Sequence, residues 1–108
     1  MNIIIYGTKK CPDTRKAQRF FQERKMKVQF RDIGEKPVTD GELKNLLSGH
    51  KAAELIDTNS KQYIKRGLAY MEYDAVEELL SDNALLVTPI IRMDKKVYIR
   101  PVLEDLLF

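Results

Sequence analysis

The first third of the sequence changes its hydrophobic pattern twice, and these changes limit the folds open to the chain. Residues 2–6 form an apolar run typical of a buried strand. After a short polar loop, residues 12–25 carry apolar side chains at helical spacing, and Pro12 occupies the first helical position, which proline favours. Residues 27–32 alternate apolar and polar side chains, which predicts a second, half-buried strand. The chain is therefore predicted to open with a β-α-β unit.

The middle third is predicted to be helical. Residues 39–42 have the spacing of a capping box ahead of a leucine-rich stretch, and residues 74–77 repeat that spacing. Residues 58–66 predict another helix, capped by the first of them, with Ile64 facing inward and Gly67 as its C-terminal stop. These patterns predict a helical insert over about residues 38–82.

The last third returns to strand patterns. Residues 85–87 predict a strand, and residues 90–99 predict a hairpin whose turn contains charged residues. Pro101 is predicted to start a final helix that continues to Leu107. The element order is thus β-α-β, a helical insert and β-β-α, which predicts an α/β (α+β) fold in a single domain, residues 1–108.

The composition excludes several classes of protein. Hydrophobic residues make up 44% and charged residues 32%, as in ordinary soluble domains, and no apolar run approaches the ~18 residues of a membrane span. The N-terminal stretch lacks the basic flank of a secretory signal, and a single cysteine cannot form an internal disulfide, so we expect a cytoplasmic protein. The net charge is +3, but acidic residues are interspersed with the basic ones, so we expect no direct binding to nucleic acid. We also expect no membrane partner and a monomer.

Cys11 occupies the position where a reactive thiol would be expected. It immediately precedes Pro12, at the predicted N-cap, where unpaired backbone N–H groups and the helix dipole favour an anion. Cysteine pKa values fall at such positions, and the thiolate is the nucleophilic form. The alternative is a small buried core residue, as free cysteines often are. We interpret Cys11 as the nucleophile.

The residue that would complete a Cys-x-x-Cys motif is Thr14, and no second thiol exists in the chain. A mixed disulfide or adduct on Cys11 would then need an external thiol, such as glutathione, a glutaredoxin or another thiol protein. Thr14 either donates its hydroxyl to the sulfur or satisfies the helix start. No bound cofactor is expected, and glutathione is the expected co-substrate.

Basic residues gather around this helix start, among them Lys10 and Arg15. Cations at a helix N-terminus are locally unfavourable by a few tenths of a kcal/mol, a cost that is tolerable if they serve an anion. The alternative is that they are solvated surface residues. We predict that Lys10 and Arg15 assist in binding or stabilising an anion. The lone histidine, His50, has no metal-ligating neighbours at suitable spacing, so we expect it on a surface loop and expect no metal site.

Three stretches resemble the arsenate reductases and Spx-like proteins, a family with the thioredoxin fold. They comprise residues 6–17 around Cys11, residues 54–63, and residues 88–101, which contain Thr88-Pro89 and Arg100. The resemblance implies a four-stranded mixed sheet with a helical insertion. It also implies a cis Pro89 facing Cys11, with the Thr88 backbone free to pair with a peptide or glutathione.

The resemblance further implies site roles. Arg15 and Arg100 match arginines that stabilise the thiolate or hold the oxyanion in arsenate reductases. Two other oxyanion-binding arginines of that family correspond to Thr88 and, in our alignment, to Asp57. A carboxylate in place of a cation disfavours an oxyanion substrate.

Three functions follow from these sequence features. The first is a monothiol reductase or thiol-transfer protein resembling the arsenate reductases. The second is an Spx-like regulator that binds the RNA polymerase α subunit, although the Cys-x-x-Cys switch of Spx is missing. The third is a glutathione- and glutaredoxin-dependent arsenate reductase, for which we expect little turnover because of Thr88 and Asp57.

Overall fold

The opening strand lies at the centre of the molecule. In the computed structural model, which describes residues 2–106, β1 is paired on both sides within a four-stranded sheet. The strands are β1 (Ile3–Gly7), β2 (Gln29–Asp32), β3 (Ile90–Met93) and β4 (Lys96–Ile99). The helices are α1 (Pro12–Glu23), α2 (Asp40–Leu46), α3 (Lys61–Lys65) and α4 (Ala75–Ser81).

The sheet is mixed, with the order β2-β1-β3-β4. β1 runs parallel to β2, as a β-α-β unit requires, and antiparallel to β3, which forms a hairpin with β4. The predicted mixed sheet and the helical segment between its two halves are both present. The C-terminal end of β1 leads into the loop that precedes Cys11.

Side-chain alternation along the strands divides the core into two clusters. Ile5 and Ile91 pack on one face of the sheet with Ala17 and Phe21 of α1, while Tyr6 faces the opposite cluster. That second cluster receives the leucines of the helical insert, which include Leu43, Leu46, Leu55, Leu68 and Leu79. The sheet therefore has α1 on one side and the insert on the other.

The helical insert differs from its prediction in the position of α3. Thr39 forms the predicted capping box with Glu42, and Asp74 caps α4, but α3 is capped by Ser60 rather than Thr58. The preceding residues form a turn, which is closed by the Ser60 backbone N–H donating to the Asp57 carbonyl.

Two residues at the C-terminal side of α3 test the rest of this prediction. The helix has no buried residue, and the Ile64 side chain is 68% exposed, so its predicted inward orientation is wrong. Gly67, at φ +64°, follows α3 as the predicted stop.

Two predictions near the C-terminus are also corrected. Residues 85–87 do not form a sheet strand: the Asp82 carboxylate caps a 3-10 turn at Asn83–Leu85, and Leu86 makes one isolated bridge to Ile56. The final helix is a 3-10 turn at Leu103–Leu106, while the predicted end at Leu107 lies outside the described residues. Within residues 2–106, no helix has both the length and the hydropathy needed to cross a bilayer.

Candidate active site

Cys11 lies at the N-cap of α1, between the end of β1 and Pro12. Its backbone is extended, its N–H donates to the Thr8 carbonyl, and its own carbonyl accepts the first helical hydrogen bond from Arg15 N–H. The predicted N-cap position is therefore confirmed. The thiol is partly exposed, so it is accessible from solvent and is not packed in the core.

Thr88 brings a second element to the sulfur. The Thr88-Pro89 peptide bond is cis, as the resemblance implied. The Thr88 hydroxyl donates a hydrogen bond to Cys11 Sγ over 3.3 Å, and the Thr88 carbonyl lies 3.9 Å from the same sulfur. The hydroxyl can donate to a thiolate, whereas the carbonyl can accept only from a protonated thiol.

The surroundings of Cys11 hold the pKa of its thiol below the ordinary value. Partial burial acts against this and raises the pKa. The hydroxyls of Thr14 and Thr88 and the backbone N–H groups of Thr14 and Asp13 favour the thiolate, and together they outweigh the burial. None of these N–H groups forms a well-aligned cap bond to the sulfur, so they act by proximity at the positive end of the helix.

Thr14 is fully buried beneath the site. Its hydroxyl is close enough to the sulfur to favour ionisation, yet it has no hydrogen bond of ordinary geometry. It also packs against Gly7, where an added Cβ would collide with the Thr14 side chain. Glycine at this position lets the first turn of α1 approach β1 closely, which helps to place Cys11 beside the sheet.

Two contacts engage the Arg100 guanidinium beside the site. Its Nε donates to the Thr88 carbonyl over 3.0 Å, and its Nη2 pairs with the Asp57 carboxylate over 3.2 Å. The residue has a positive φ of +42°, and its N–H donates to the Pro89 carbonyl. The Thr88 carbonyl thus already accepts a hydrogen bond from Arg100, and pairing of the Thr88 backbone with a peptide or glutathione stays a prediction.

The basic residues around the helix start do not converge on the sulfur through any hydrogen bond of residues 2–106. The Arg15 guanidinium donates to the Lys9 carbonyl over 3.4 Å, and the Lys9 ammonium pairs with Glu35 over 3.1 Å. Lys10 is exposed. The described donors to Cys11 are therefore hydroxyls and amides, so the expected anion-stabilising roles of Lys10 and Arg15 remain predictions.

His50 does more than occupy a surface loop. It is half-buried, and its Nε2 lies 2.7 Å from the Val97 carbonyl while Nδ1 lies 3.3 Å from the Glu54 carboxylate. It therefore joins the insert to β4. Across residues 2–106, no group of three side chains is arranged to hold a metal ion.

Sequence reasoning missed two contacts of this site. One is the Thr88 hydroxyl on the sulfur, and the other is the pairing of Asp57 with Arg100. Both join residues far apart in the chain. The available signal was the opposite charge of Asp57 and Arg100 in two segments assigned to one site.

Fold and site together define a thioredoxin-like protein with a single cysteine opposite a cis-proline. The sequence profile of the ArsC family matches residues 6–100. This chain therefore belongs to the ArsC family, whose members are arsenate reductase-like. No curated protein matches the sequence.

Solved structures of this kind resemble the chain over nearly its whole length. A candidate arsenate reductase from Yersinia pestis has a TM-score of 0.85 at 21% identity, with 98% of each chain covered. The arsenate reductase from Vibrio cholerae has a TM-score of 0.83 at 18% identity, covering 99% of this chain and 96% of that one. A candidate arsenate reductase from Streptococcus mutans has a TM-score of 0.78 at 25% identity, with 98% of each covered.

Proposed function

We propose that this protein is a monothiol oxidoreductase that reduces mixed disulfides through Cys11. The Cys11 thiolate attacks one sulfur of a substrate disulfide, a new S–S bond forms to Cys11, and the other sulfur leaves as a thiolate. The observation that carries this proposal is the partly exposed Cys11 Sγ with the Thr88 hydroxyl 3.3 Å away and a lowered thiol pKa. Such surroundings are the physical mark of reactive cysteines.

The second half of the cycle requires an external thiol. The chain has one cysteine, so the mixed disulfide on Cys11 cannot be resolved within the molecule. We propose that glutathione, or the thiol of a glutaredoxin- or thioredoxin-type protein, attacks the sulfur attached to Cys11. Cys11 leaves as a thiolate, and the external thiol forms a disulfide with the sulfur that Cys11 had captured, so one external thiol is oxidised for each substrate sulfur released as a thiol.

The proposal is tested by turnover and by trapping. With glutathione, glutathione reductase and bis(2-hydroxyethyl) disulfide, we expect catalysed NADPH consumption above the uncatalysed rate. Intact-mass analysis after exposure to oxidised glutathione is expected to show one glutathionyl group per chain. Cys11→Ser is expected to abolish both signals, and a wild-type protein that forms no adduct and accelerates no turnover would refute the proposal.

Arsenate reduction is a separate reaction of the same sulfur. Arg100 matches an oxyanion-binding arginine of the arsenate reductases, but it is already paired with the Asp57 carboxylate. The residue before cis-Pro89 is Thr88, which supplies a neutral hydroxyl instead of a cation. The positive charge of Arg100, neutralised by Asp57, would attract an arsenate oxyanion only weakly. We therefore expect little arsenate turnover with glutathione and glutaredoxin, and efficient turnover that is lost in Cys11→Ser would establish an arsenate reductase instead.

A regulatory function is the second candidate. It is favoured by the exposed apolar side chains of the insert, since Ile64 is 68%, Tyr70 94% and Met71 58% exposed. Exposed apolar residues are a common feature of protein-binding surfaces. An Spx-like regulator would retain the RNA polymerase α subunit in a pull-down, and absence of binding with Cys11 both reduced and glutathionylated would exclude this function.

A further inference from the structure

A groove of about 370 Å³ lies between the C-terminal half of α1 and the outer strand β2. It is lined by Gln18 and Gln22 of α1, by residues 25–28 of the following loop, and by Phe30 of β2. Its volume falls within the range of ~300–1,000 Å³ typical of ligand pockets. Cys11 is at the N-cap of α1, so this groove is separate from the thiol site. We call it the β2-edge groove.

The backbone of β2 is unpaired on the side away from β1. β2 is an outer strand of the sheet, and the Ile33 N–H that follows it donates to the Gly7 carbonyl at the end of β1. Backbone groups of successive strand residues point alternately to the two sides, so the N–H and C=O of Phe30 point away from β1. The edge therefore offers a backbone donor and an acceptor to an incoming strand.

The floor of the groove is apolar. The side chains of Met26, Val28 and Phe30 pack against the core cluster beneath α1, but all three remain partly exposed. A strand added next to β2 would point every second side chain toward this floor. Recognition of extended peptides at a sheet edge combines these two features, backbone pairing and contacts to alternate side chains.

The charged residues that line the groove are both basic. Lys25 and Lys27 are exposed, and neither forms an ion pair within residues 2–106. Glu23, the last residue of α1, is not among the lining residues. Edge lysines disfavour pairing between two copies of the chain, because like charges would meet, whereas they attract an acidic strand. The charge of the groove thus selects the class of partner.

We propose that the β2-edge groove docks an extended acidic segment of a partner protein, which joins the sheet as an additional strand beside β2. The backbone of the segment pairs with the N–H and C=O of Phe30. Its apolar side chains cover Met26 and Val28, and its carboxylates lie near Lys25 and Lys27. This site does not depend on the thiol chemistry of the proposed function.

The test uses short peptides as probes of the edge. One alternates glutamate and valine, and a second has lysine in place of glutamate. Two further forms of the acidic peptide are N-methylated, one at the valine nitrogens and the other at the glutamate nitrogens. Each methylated form loses its N–H groups on one edge of the extended strand only, because alternate residues direct their N–H groups to opposite edges.

Binding is measured by the fluorescence anisotropy of peptides that carry a neutral fluorophore. The groove variants are Lys25→Gln and Lys27→Gln. The matched control is Lys44→Gln, which makes the same change in net charge at an exposed position of α2. Cys11→Ser is included so that loss of the thiol can be separated from loss of docking. Hydrogen exchange of the Phe30 amide is followed with and without the acidic peptide.

Wild type is expected to bind the acidic peptide and not the lysine peptide. Each groove variant weakens binding roughly twofold to fivefold, the range expected for exposed charge pairs, while Lys44→Gln and Cys11→Ser bind as wild type. One of the two methylated peptides binds roughly threefold to tenfold more weakly than the unmethylated one, and the other keeps its affinity. The Phe30 amide exchanges more slowly in the complex, because its N–H gains a partner.

Four results would overturn the proposal. The first is the absence of saturable binding of the acidic peptide to wild type. The second is equal affinity for the two methylated peptides or unchanged exchange at Phe30, since either would show charge attraction without strand pairing. The third is an equal loss in Lys44→Gln, which would show that net charge governs binding. The fourth is slow exchange at Phe30 through self-association without peptide, which would assign the edge to a second copy.

Discussion

Removing the Thr88 hydroxyl is the sharpest perturbation of the reactive sulfur that the structure offers. Thr88→Val keeps the branched shape of the side chain but deletes the donor that lies 3.3 Å from Cys11 Sγ. A hydrogen bond to a charged group contributes roughly 1.5–3 kcal/mol when well buried, and a neutral one about 1 kcal/mol. Because this sulfur is only partly buried, we expect a loss of about 1 kcal/mol in the stability of the thiolate relative to the thiol.

A change of that size has a direct kinetic consequence. It lowers the ratio of thiolate to thiol about fivefold and raises the pKa of Cys11 toward the ordinary value. The rate of alkylation by iodoacetamide, measured against pH, reports the titration midpoint because the thiolate is the reacting form. We expect the midpoint of Thr88→Val to lie above that of wild type.

Thr88→Ser is the matched control, since it retains a hydroxyl at the same position. It is expected to keep the midpoint close to that of wild type, and Cys11→Ser is expected to show no alkylation. If Thr88→Val titrates with the wild-type midpoint, the hydroxyl does not stabilise the thiolate and the reasoning is refuted. An equal shift in Thr88→Ser would assign the effect to packing instead.

Three further perturbations test how the fold supports the site. Gly7→Ala places a Cβ against the Thr14 side chain, so we expect a loss of about 1–3 kcal/mol in the free energy of unfolding, measured by chemical denaturation, with partial rescue in the double variant that also carries Thr14→Ala. Arg31, together with hydrogen bonds from Thr39, lowers the pKa of Glu42 from 4.5 to about 2 against the opposing effect of burial, so Glu42→Gln is expected to cost roughly 2–3 kcal/mol at neutral pH. Because the unfolded state binds more protons in that window, this difference should shrink as the pH falls from about 4.5 toward 2; a constant difference would contradict it. The thiol pKa of Cys11 is likewise lowered from 9.0, so the stability of wild type relative to Cys11→Ser should rise with pH up to about that value, and a flat or falling difference would contradict the lowered pKa.

Local sequence signals were sufficient to predict β1 and α1, the elements that position Cys11, and the start of α2. The apolar run of β1, the proline at the start of α1 and the capping box at Thr39 each depend on neighbouring residues, and each is present in the structure. Thr58 was predicted as the cap of α3, but Ser60 caps this helix in the structure. Residues 57–60 form a turn that is closed by the Ser60 N–H on the Asp57 carbonyl, so α3 begins only after Ser60. The Asp57 N–H in turn donates to the Leu85 carbonyl, a tertiary contact that the local sequence does not indicate.

The apolar segment 85–87 shows a different limit of pattern reasoning. Its residues are buried, as a strand would be, but its backbone pairs with the helical insert instead of the main sheet. The N–H of Asp57 donates to the Leu85 carbonyl, and the N–H of Val87 donates to the Leu55 carbonyl. Burial can be predicted from hydrophobicity, whereas the identity of the pairing partner depends on how the insert folds back.

The same limit applies to the chemistry of the sulfur. The position of Cys11 at a helix start is a local property and was predictable, but its hydroxyl donor comes from Thr88, which is separated from it by 77 residues. The expectation of cationic stabilisation followed from the charges nearest in sequence. In the structure, Arg15 turns toward the Lys9 carbonyl, and the described donors to the sulfur are dipoles.

The Asp57–Arg100 pair leads to a final prediction about substrate charge. Arg100 is 45% exposed and Asp57 19%, and the carboxylate compensates the guanidinium next to the Thr88 carbonyl. Asp57→Asn removes that compensation while leaving an oxygen able to accept from the Asn59 N–H, so the local turn can persist.

The expected result is a change in selectivity, because an uncompensated Arg100 attracts anions to the mouth of the site. Asp57→Asn should react roughly twofold to fivefold faster with 3,3′-dithiodipropionate and at the wild-type rate with bis(2-hydroxyethyl) disulfide. Glu23→Gln, at the opposite end of α1 from Cys11, makes the same change in net charge and should not alter either rate. Equal acceleration in Glu23→Gln would show that overall charge, and not the release of Arg100, governs the preference.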